Sequence, residues 1–158
     1  MTVASATVVR EARQEDLPRI LELLYQLTLT SSHPEPAPRE LTEDHIEIFR
    51  QFLGSPFFHL LVLEVAGVIQ GTLHLYLVPN IAHGAIPWAI VEHVVVDANE
   101  RSKGYGEIMM AEAVRMAKDA GAFKVSLGSS VLRTDSHRFY ERIGFDAHQK
   151  GFILPLAH

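Results

Sequence analysis

The sequence predicts a mixed α/β (α+β) domain, a central sheet of about seven strands with helices packed on it. Three observations carry that expectation. Short runs rich in β-branched and aromatic residues alternate with stretches whose apolar residues recur at helical spacing. The predicted order is strand, two helices, three strands, helix, strand, helix and two strands, which is neither a bundle nor a plain succession of hairpins. The chain has 158 residues, 47% hydrophobic and 21% charged, enough to bury a core as one domain over 1–158.

Each element has its own signal. Thr7–Ala12 is a short β-branched run and reads as the first strand. Gln14, Glu15 and Asp16 precede Leu17, Ile20, Leu21, Leu23, Leu24 and Leu27, apolar residues at helical spacing whose acidic start suits a helix N-terminus. Pro34, Pro36 and Pro38 make Ser31–Arg39 a loop, either a surface connector or a flap over a substrate site. Thr42 caps a second helix carrying Ile46, Phe49, Phe52 and Leu53 on one face. Phe57–Ala66 and Val68–Val78 form a hairpin turned at Gly67. A loop over Pro79–Pro87 leads to the apolar run Trp88–Val96. After a polar loop, a helix runs from about Tyr105 to Ala120 and stops at Gly121. Phe123–Leu127 reads as a short strand and Asp135–Ile143 as a short helix ended by Gly144. Phe145 and Gly151–Leu156 are expected to supply a terminal strand pair.

Composition narrows the function. The formal net charge is −5, against the basic surplus usual in a nucleic-acid binder. There are no cysteines, so disulfides, thiolate nucleophiles and cysteine-based zinc sites are excluded. No apolar run is long enough for a membrane span, and Met1–Ala6 does not read as a secretory signal. A cytoplasmic protein is expected. No histidine pair stands at metal-ligand spacing on a predicted helix and no nucleophile elbow occurs, so neither a catalytic metal nor a serine hydrolase is expected.

The strongest local motif is a strand followed by Arg101-x-x-Gly104-x-Gly106 and a helix. A helix start presents unpaired N–H groups and partial positive charge, and glycines let a backbone approach a bound group closely. A diphosphate fits on such amides, with Arg101 and Lys103 beside it. Met109 occupies the place of the third glycine of a dinucleotide fingerprint, and no Walker lysine is present. The motif also fits an ordinary structural turn.

Two further stretches stand out. Glu92 lies in the otherwise apolar Ala89–Val96 run, where an ionised carboxylate costs several kcal/mol unless it is paired or wet. Glu92 is therefore either a general base or a strand-edge acid paired to a cation. His93 alternates to the opposite face in a regular strand and reads as a structural hydrogen-bonder or a ligand. Phe139 and Tyr140, in Phe139–Phe145, read on composition alone as core aromatics.

Together these pieces resemble the GCN5-related N-acetyltransferases. Val94-Val95-Val96-Asp97 ends the strand before the loop. Arg101–Gly106 matches the family's Arg/Gln-x-x-Gly-x-Gly/Ala segment, and Phe139–Phe145 matches its FY-x-x-x-GF segment. The likeness covers about Phe57–Phe145 by motif and the helical N-terminal part by order of elements. It implies a mostly antiparallel sheet with helices on both faces, splayed between its fourth and fifth strands, with acetyl-CoA in the opening. By the same resemblance, Val94, Val95 and Val96 hold the pantetheine arm like an added strand. Arg101, Ser102, Lys103, Gly104, Tyr105 and Gly106 grip the pyrophosphate. A strand bulge near Glu92–Val94 frees an N–H for the thioester carbonyl. Tyr140 points at the sulfur, and Ser136 and Arg142 reach other parts of the cofactor. Two departures leave the acceptor open. His93 stands where the related glucosamine-phosphate acetyltransferases carry an acid, and Arg133 stands where an asparagine is common.

The implied activity is direct transfer of an acetyl group from acetyl-CoA to a primary amine in a ternary complex, with Glu92 as base and Tyr140 as proton donor to the leaving thiolate. The alternatives are acetylation of a protein or peptide amine and an acyl-CoA-binding module without turnover. A homodimer is expected from the family.

Overall fold

The computed structural model describes residues 6–29 and 40–156. The expected Ser31–Arg39 loop lies outside them. The chain divides into two compact units, Met1–Leu127 and Gly128–His158.

The first unit is built on a five-stranded sheet in the order β1-β2-β3-β4-β5. Its strands are β1 (Thr7–Glu11), β2 (Phe58–Val65), β3 (Val68–Val78), β4 (Trp88–Val96) and β5 (Val125–Leu127). The first four pair antiparallel, and β4 pairs with β5 in parallel. Helices α1 (Leu17–Thr28) and α2 (Glu43–Phe52) fall between β1 and β2. The irregular turn α3 (Ala82–Ala85) precedes β4, and α4 (Tyr105–Asp119) joins β4 to β5. Among the described residues no helix is long and apolar enough to cross a membrane.

Four consecutive residues of β2, Leu60–Leu63, are buried because helices cover both faces of the sheet. Leu60 and Val62 pack with Leu17, Ile20 and Leu23 of α1 and Phe49 of α2. Leu61 and Leu63 point the other way. On that side Gly71 stands opposite Leu63, and a Cβ there would meet Met109 Sδ at 2.8 Å, so α4 packs on this second face. Arg10 ties β1 to β2 and to the start of α1 through Glu64 (2.8 Å) and Asp16 (2.7 Å). Burial opposes ionisation of Asp16, but the bonds from Arg10 and the Arg13 N–H outweigh it and hold the carboxyl below its usual range.

In the second unit α5 (Thr134–Arg142) is stopped by Gly144 at φ +102°. The seven strands read from the sequence are corrected to five among the described residues. Phe145 and Gly151–Leu156 form no ladder. Pro155 cannot donate to one, and Phe152, Ile153, Leu154 and Leu156 are exposed rather than set against a neighbouring strand.

Candidate active site

The fourth strand changes register at a bulge. Thr72 stands opposite Val95 and His74 opposite Glu92, so two residues of β4, His93 and Val94, span the single residue Leu73 of β3. His93 takes up the irregularity with φ +55°, a left-handed conformation that is rare for a residue with a side chain. The expectation of regular alternation at His93 is thereby corrected. Its exposed ring lies 4.7 Å from that of His74, whose cross-strand partner is Glu92.

Cross-strand register assembles the surroundings of Glu92. Leu60, His74 and Glu92 form one row, and Phe58, Tyr76 and Ile90 form the next row on the same face. Phe52, the last residue of α2, places its ring 5.7 Å from Phe58 and 6.1 Å from His74. His74 Nδ1 and the Tyr76 hydroxyl share a hydrogen bond of 3.2 Å. Burial, and then the neighbouring His93, push His74 down to about 4, so it is neutral at pH 7. Burial, and then the Glu92 charge, raise the Tyr76 phenol above its ordinary value. Glu92 itself is half-buried rather than sealed on both sides.

Pairing between β4 and β5 covers only Ala89–Val125, Ile90–Ser126 and Val91–Leu127. From Glu92 to Val96 the strand has no partner on the β5 side among the described residues. Val94 and Val96 are half-buried and Val95 is buried with the helix face.

Asp97 anchors the loop that follows. It accepts from Asn99 N–H (2.9 Å), Arg19 Nη2 (2.6 Å) and Gln26 Nε2 (3.1 Å). Gln26 Oε1 in turn accepts from Ala98 N–H (2.9 Å), so α1 clamps the end of β4. The Asn99 N–H is the largest influence holding Asp97 down to about 2; burial opposes it, and Arg19 and Gln26 reinforce it. Beyond the clamp, Ser102 has φ +63° and Gly104 φ +81°. Left-handed residues alternating with residues of negative φ are the backbone pattern from which anion-binding concavities are built. Gly104, Tyr105 and Gly106 also occupy the start of α4, where N–H groups precede the first intrahelical acceptor. Arg101 and Lys103 are exposed. Lys103 Nζ pairs with Glu100 (2.7 Å), and Arg101 Nε makes a long 3.5 Å contact to Val96 O.

In the second unit, α5 carries Ser136, Tyr140 and Arg142. Tyr140 packs edge-on against Phe139 (5.1 Å) and Phe145 (6.0 Å), and its carbonyl accepts from the Phe145 N–H (3.0 Å). The Arg142 guanidinium lies over the Phe139 ring at 5.6 Å.

The structure thus brings Glu92, His93 and Val94–Val96 together with the Arg101–Gly106 loop along one strand and its exit. Ser136, Tyr140 and Arg142 stand together on their own helix in the other unit. Sequence reasoning missed His74, Tyr76 and the Asp97 clamp. His74 and Tyr76 interrupt an apolar strand at period two, the signal that marks a polar patch on one face. The clamp joins residues more than seventy positions apart and leaves no local trace. A cleft of about 450 Å³ also opens beneath α2, lined by Glu11, Phe49, Phe52 and His59; no part of it belongs to β4 or α4.

The sequence profile of the acetyltransferase (GNAT) family matches residues 9–145, and the chain belongs to that family. It is an acetyl-CoA-dependent acetyltransferase. It is 31% identical to the glucosamine 6-phosphate N-acetyltransferase of Trypanosoma brucei brucei over 151 residues, covering 94% of this chain and 95% of the relative. A solved protein of Agrobacterium tumefaciens strain C58, described as an acetyltransferase, superposes with a TM-score of 0.84 at 30% identity, over 94% of this chain and 99% of that one. The aminoglycoside N-acetyltransferase AAC(6')-Iy, solved with CoA, shares the fold at 17% identity, with a TM-score of 0.77 over 99% of this chain and 98% of its own.

Proposed function

We propose that this chain, as one acetyltransferase domain over 1–158, moves the acetyl group of acetyl-CoA directly to a primary amine of a small molecule within a ternary complex. The observation that carries the reading is the course of β4. It parts from β5 at Glu92, bulges at His93 and runs straight into the left-handed loop at Ser102–Gly104. An extended pantetheine arm followed by a diphosphate has the shape of that path.

In this reading the main chain of Val94–Val96 pairs with the arm as a strand would, and the amides of Ser102–Gly106 hold the diphosphate with help from Arg101 and Lys103. Acetyl-CoA supplies an activated thioester. A main-chain N–H of the Glu92–Val94 bulge polarises its carbonyl. Glu92, directly or through water, takes a proton from the acceptor ammonium so that the nitrogen can attack. As the new C–N bond forms and the C–S bond breaks, Tyr140 gives a proton to the departing sulfur, and the second proton shed by the acylated nitrogen returns through solvent to the phenolate. Thiols ordinarily titrate near 8.5 and phenols near 10, so a phenol is a suitable class of donor to a departing thiolate at neutral pH. Ser136 and Arg142 steady the cofactor. No covalent enzyme intermediate is required. Cytoplasmic action and a homodimer belong to the same proposal.

Thiol release from acetyl-CoA in the presence of an amine panel tests it. Glu92→Gln and Tyr140→Phe are expected to lower kcat at least tenfold while CoA affinity, read by calorimetry, is kept. Full activity in both variants overturns the catalytic roles. Binding of CoA without thiol release on any amine marks a binding module instead, and turnover on peptides alone marks a protein amine as acceptor.

A further inference from the structure

We infer that the acceptor is a primary amine carried on an apolar, preferentially aromatic body without a phosphate group, and that it lies on the sheet face made by Phe52, Phe58, His74, Tyr76 and Glu92. The inference rests on the transfer reading above and names the acceptor class for that site.

The first argument is placement. Glu92, the proposed base, stands in the same cross-strand row as His74, and the adjoining row holds Phe58 and Tyr76. An acceptor whose nitrogen reaches Glu92 can rest its remaining atoms along these rows. What it meets there is a connected set of rings. Phe52 and Phe58 are 5.7 Å apart, Phe58 and Tyr76 5.8 Å, and His74 and Tyr76 6.2 Å, each pair edge-to-face. Edge-to-face clusters present ring faces to a newcomer, which is the geometry an aromatic or cationic group prefers.

The second argument is burial. Along the same face of β2, Leu60 and Val62 are closed over by the helices, while Phe58 remains 43% exposed. Among the described residues the helical cover thins at Phe58. A large aromatic left partly open two strands from Glu92 gains by burial under an apolar ligand body.

The third argument is charge. Glu92 is the carboxylate in these rows and His74 is held neutral there, so the rows favour an ammonium over a phosphate, with the His93 imidazole the other titratable group at their edge. On helix α2, which supplies Phe52, the cation Arg50 is paired with Glu47. This sets the chain apart from the trypanosomal relative, whose acceptor carries a phosphate in its name.

The test begins with calorimetry of the full chain and CoA. Lack of binding overturns the transfer reading, and this inference with it. Given binding, thiol release is compared for 2-phenylethylamine, butylamine, 2-aminoethyl phosphate and glucosamine 6-phosphate. The expected order places 2-phenylethylamine at least tenfold above both phosphate-bearing amines in kcat/KM. Phe58→Ala is expected to raise the KM for 2-phenylethylamine roughly tenfold, a loss typical of one aromatic contact, with CoA affinity unchanged. Phe58→Lys is expected to narrow the gap to the phosphate-bearing amines. Preference for glucosamine 6-phosphate, or indifference of KM to Phe58→Ala in a folded variant, sinks the inference while leaving acetyl transfer in place.

Discussion

The imidazoles of His74 and His93 stack with their centroids 4.7 Å apart and their planes tilted by 45°. They meet only because β4 bulges. In a flat strand His93 would lie on the opposite side of the sheet from Glu92, and from His74 across from it. The bulge thus adds a second imidazole to the His74, Tyr76 and Glu92 that register already brings together where the sheet begins to part.

His74 gives the fold a pH dependence with a definite sign. Its folded pKa of about 4 lies below the ordinary 6.5, so between those values the unfolded chain binds the extra proton. Stability rises with pH across that window and falls as pH drops from 6.5 towards 4. The loss amounts to about 3 kcal/mol at 1.36 kcal/mol per unit. The groups facing His74 are His93, Tyr76, Glu92 and Phe52. Urea titrations of wild type and His74→Phe at pH 7 and pH 4.5 should show a much shallower slope in the variant.

The left-handed backbone at His93 costs of order 1–3 kcal/mol for a residue with a Cβ. His93→Gly should keep the fold and raise the midpoint of urea unfolding. His93→Val, β-branched at a positive φ, should lower stability by about 1–2 kcal/mol. If His93→Val proves as stable as wild type, the bulge is not held in this conformation.

Asp97 titrates in a different range. Held down to about 2, it contributes stability that is fully present above its unfolded value of 3.8 and is lost as pH falls through about 2, close to 2 kcal/mol in all. Asp97→Ala leaves Arg19 and Gln26 without their shared acceptor and should cost about 1–3 kcal/mol at pH 7. Because the same carboxylate sets the chain entering the Ser102–Gly106 loop, acetyl-CoA KM should rise as well. Thermal melts and steady-state kinetics read the two effects separately.

Gly71→Ala tests the packing of α4 on the sheet. The added carbon meets Met109 Sδ at 2.8 Å and the Val95 carbonyl oxygen at 3.0 Å. The thioether can swing aside but the strand carbonyl cannot, so a loss of about 1–3 kcal/mol is expected by chemical denaturation.

Gly104→Val places a β-branched residue at φ +81° at the mouth of α4. Stability should fall by more than 1 kcal/mol, and CoA affinity should fall with it as the amide concavity opens.

Most of the first unit was legible because its signals are local. Trp88–Val96 and Val68–Val78 were read to their ends, since each is bounded by a glycine, a proline or a polar loop. The loop at 101–106 was legible for the same reason. The expected terminal strands were not, because Phe152–Leu156 has strand composition while pairing depends on a neighbour that composition does not name. His74 escaped attention because its importance comes from register with Glu92. The bulge that brings His93 to it was anticipated only through family likeness. No residue type in Val91–Val95 announces a left-handed turn.

The short β4–β5 seam has a consequence for handling the protein. A ladder that is zipped for three rungs leaves Glu92–Val96 without a strand partner on that side among the described residues, a place where an extended segment of another copy could add on. Without its cosubstrate the enzyme should self-associate as it is concentrated. On the proposed path of the cosubstrate along this edge, coenzyme A in the buffer should suppress that self-association.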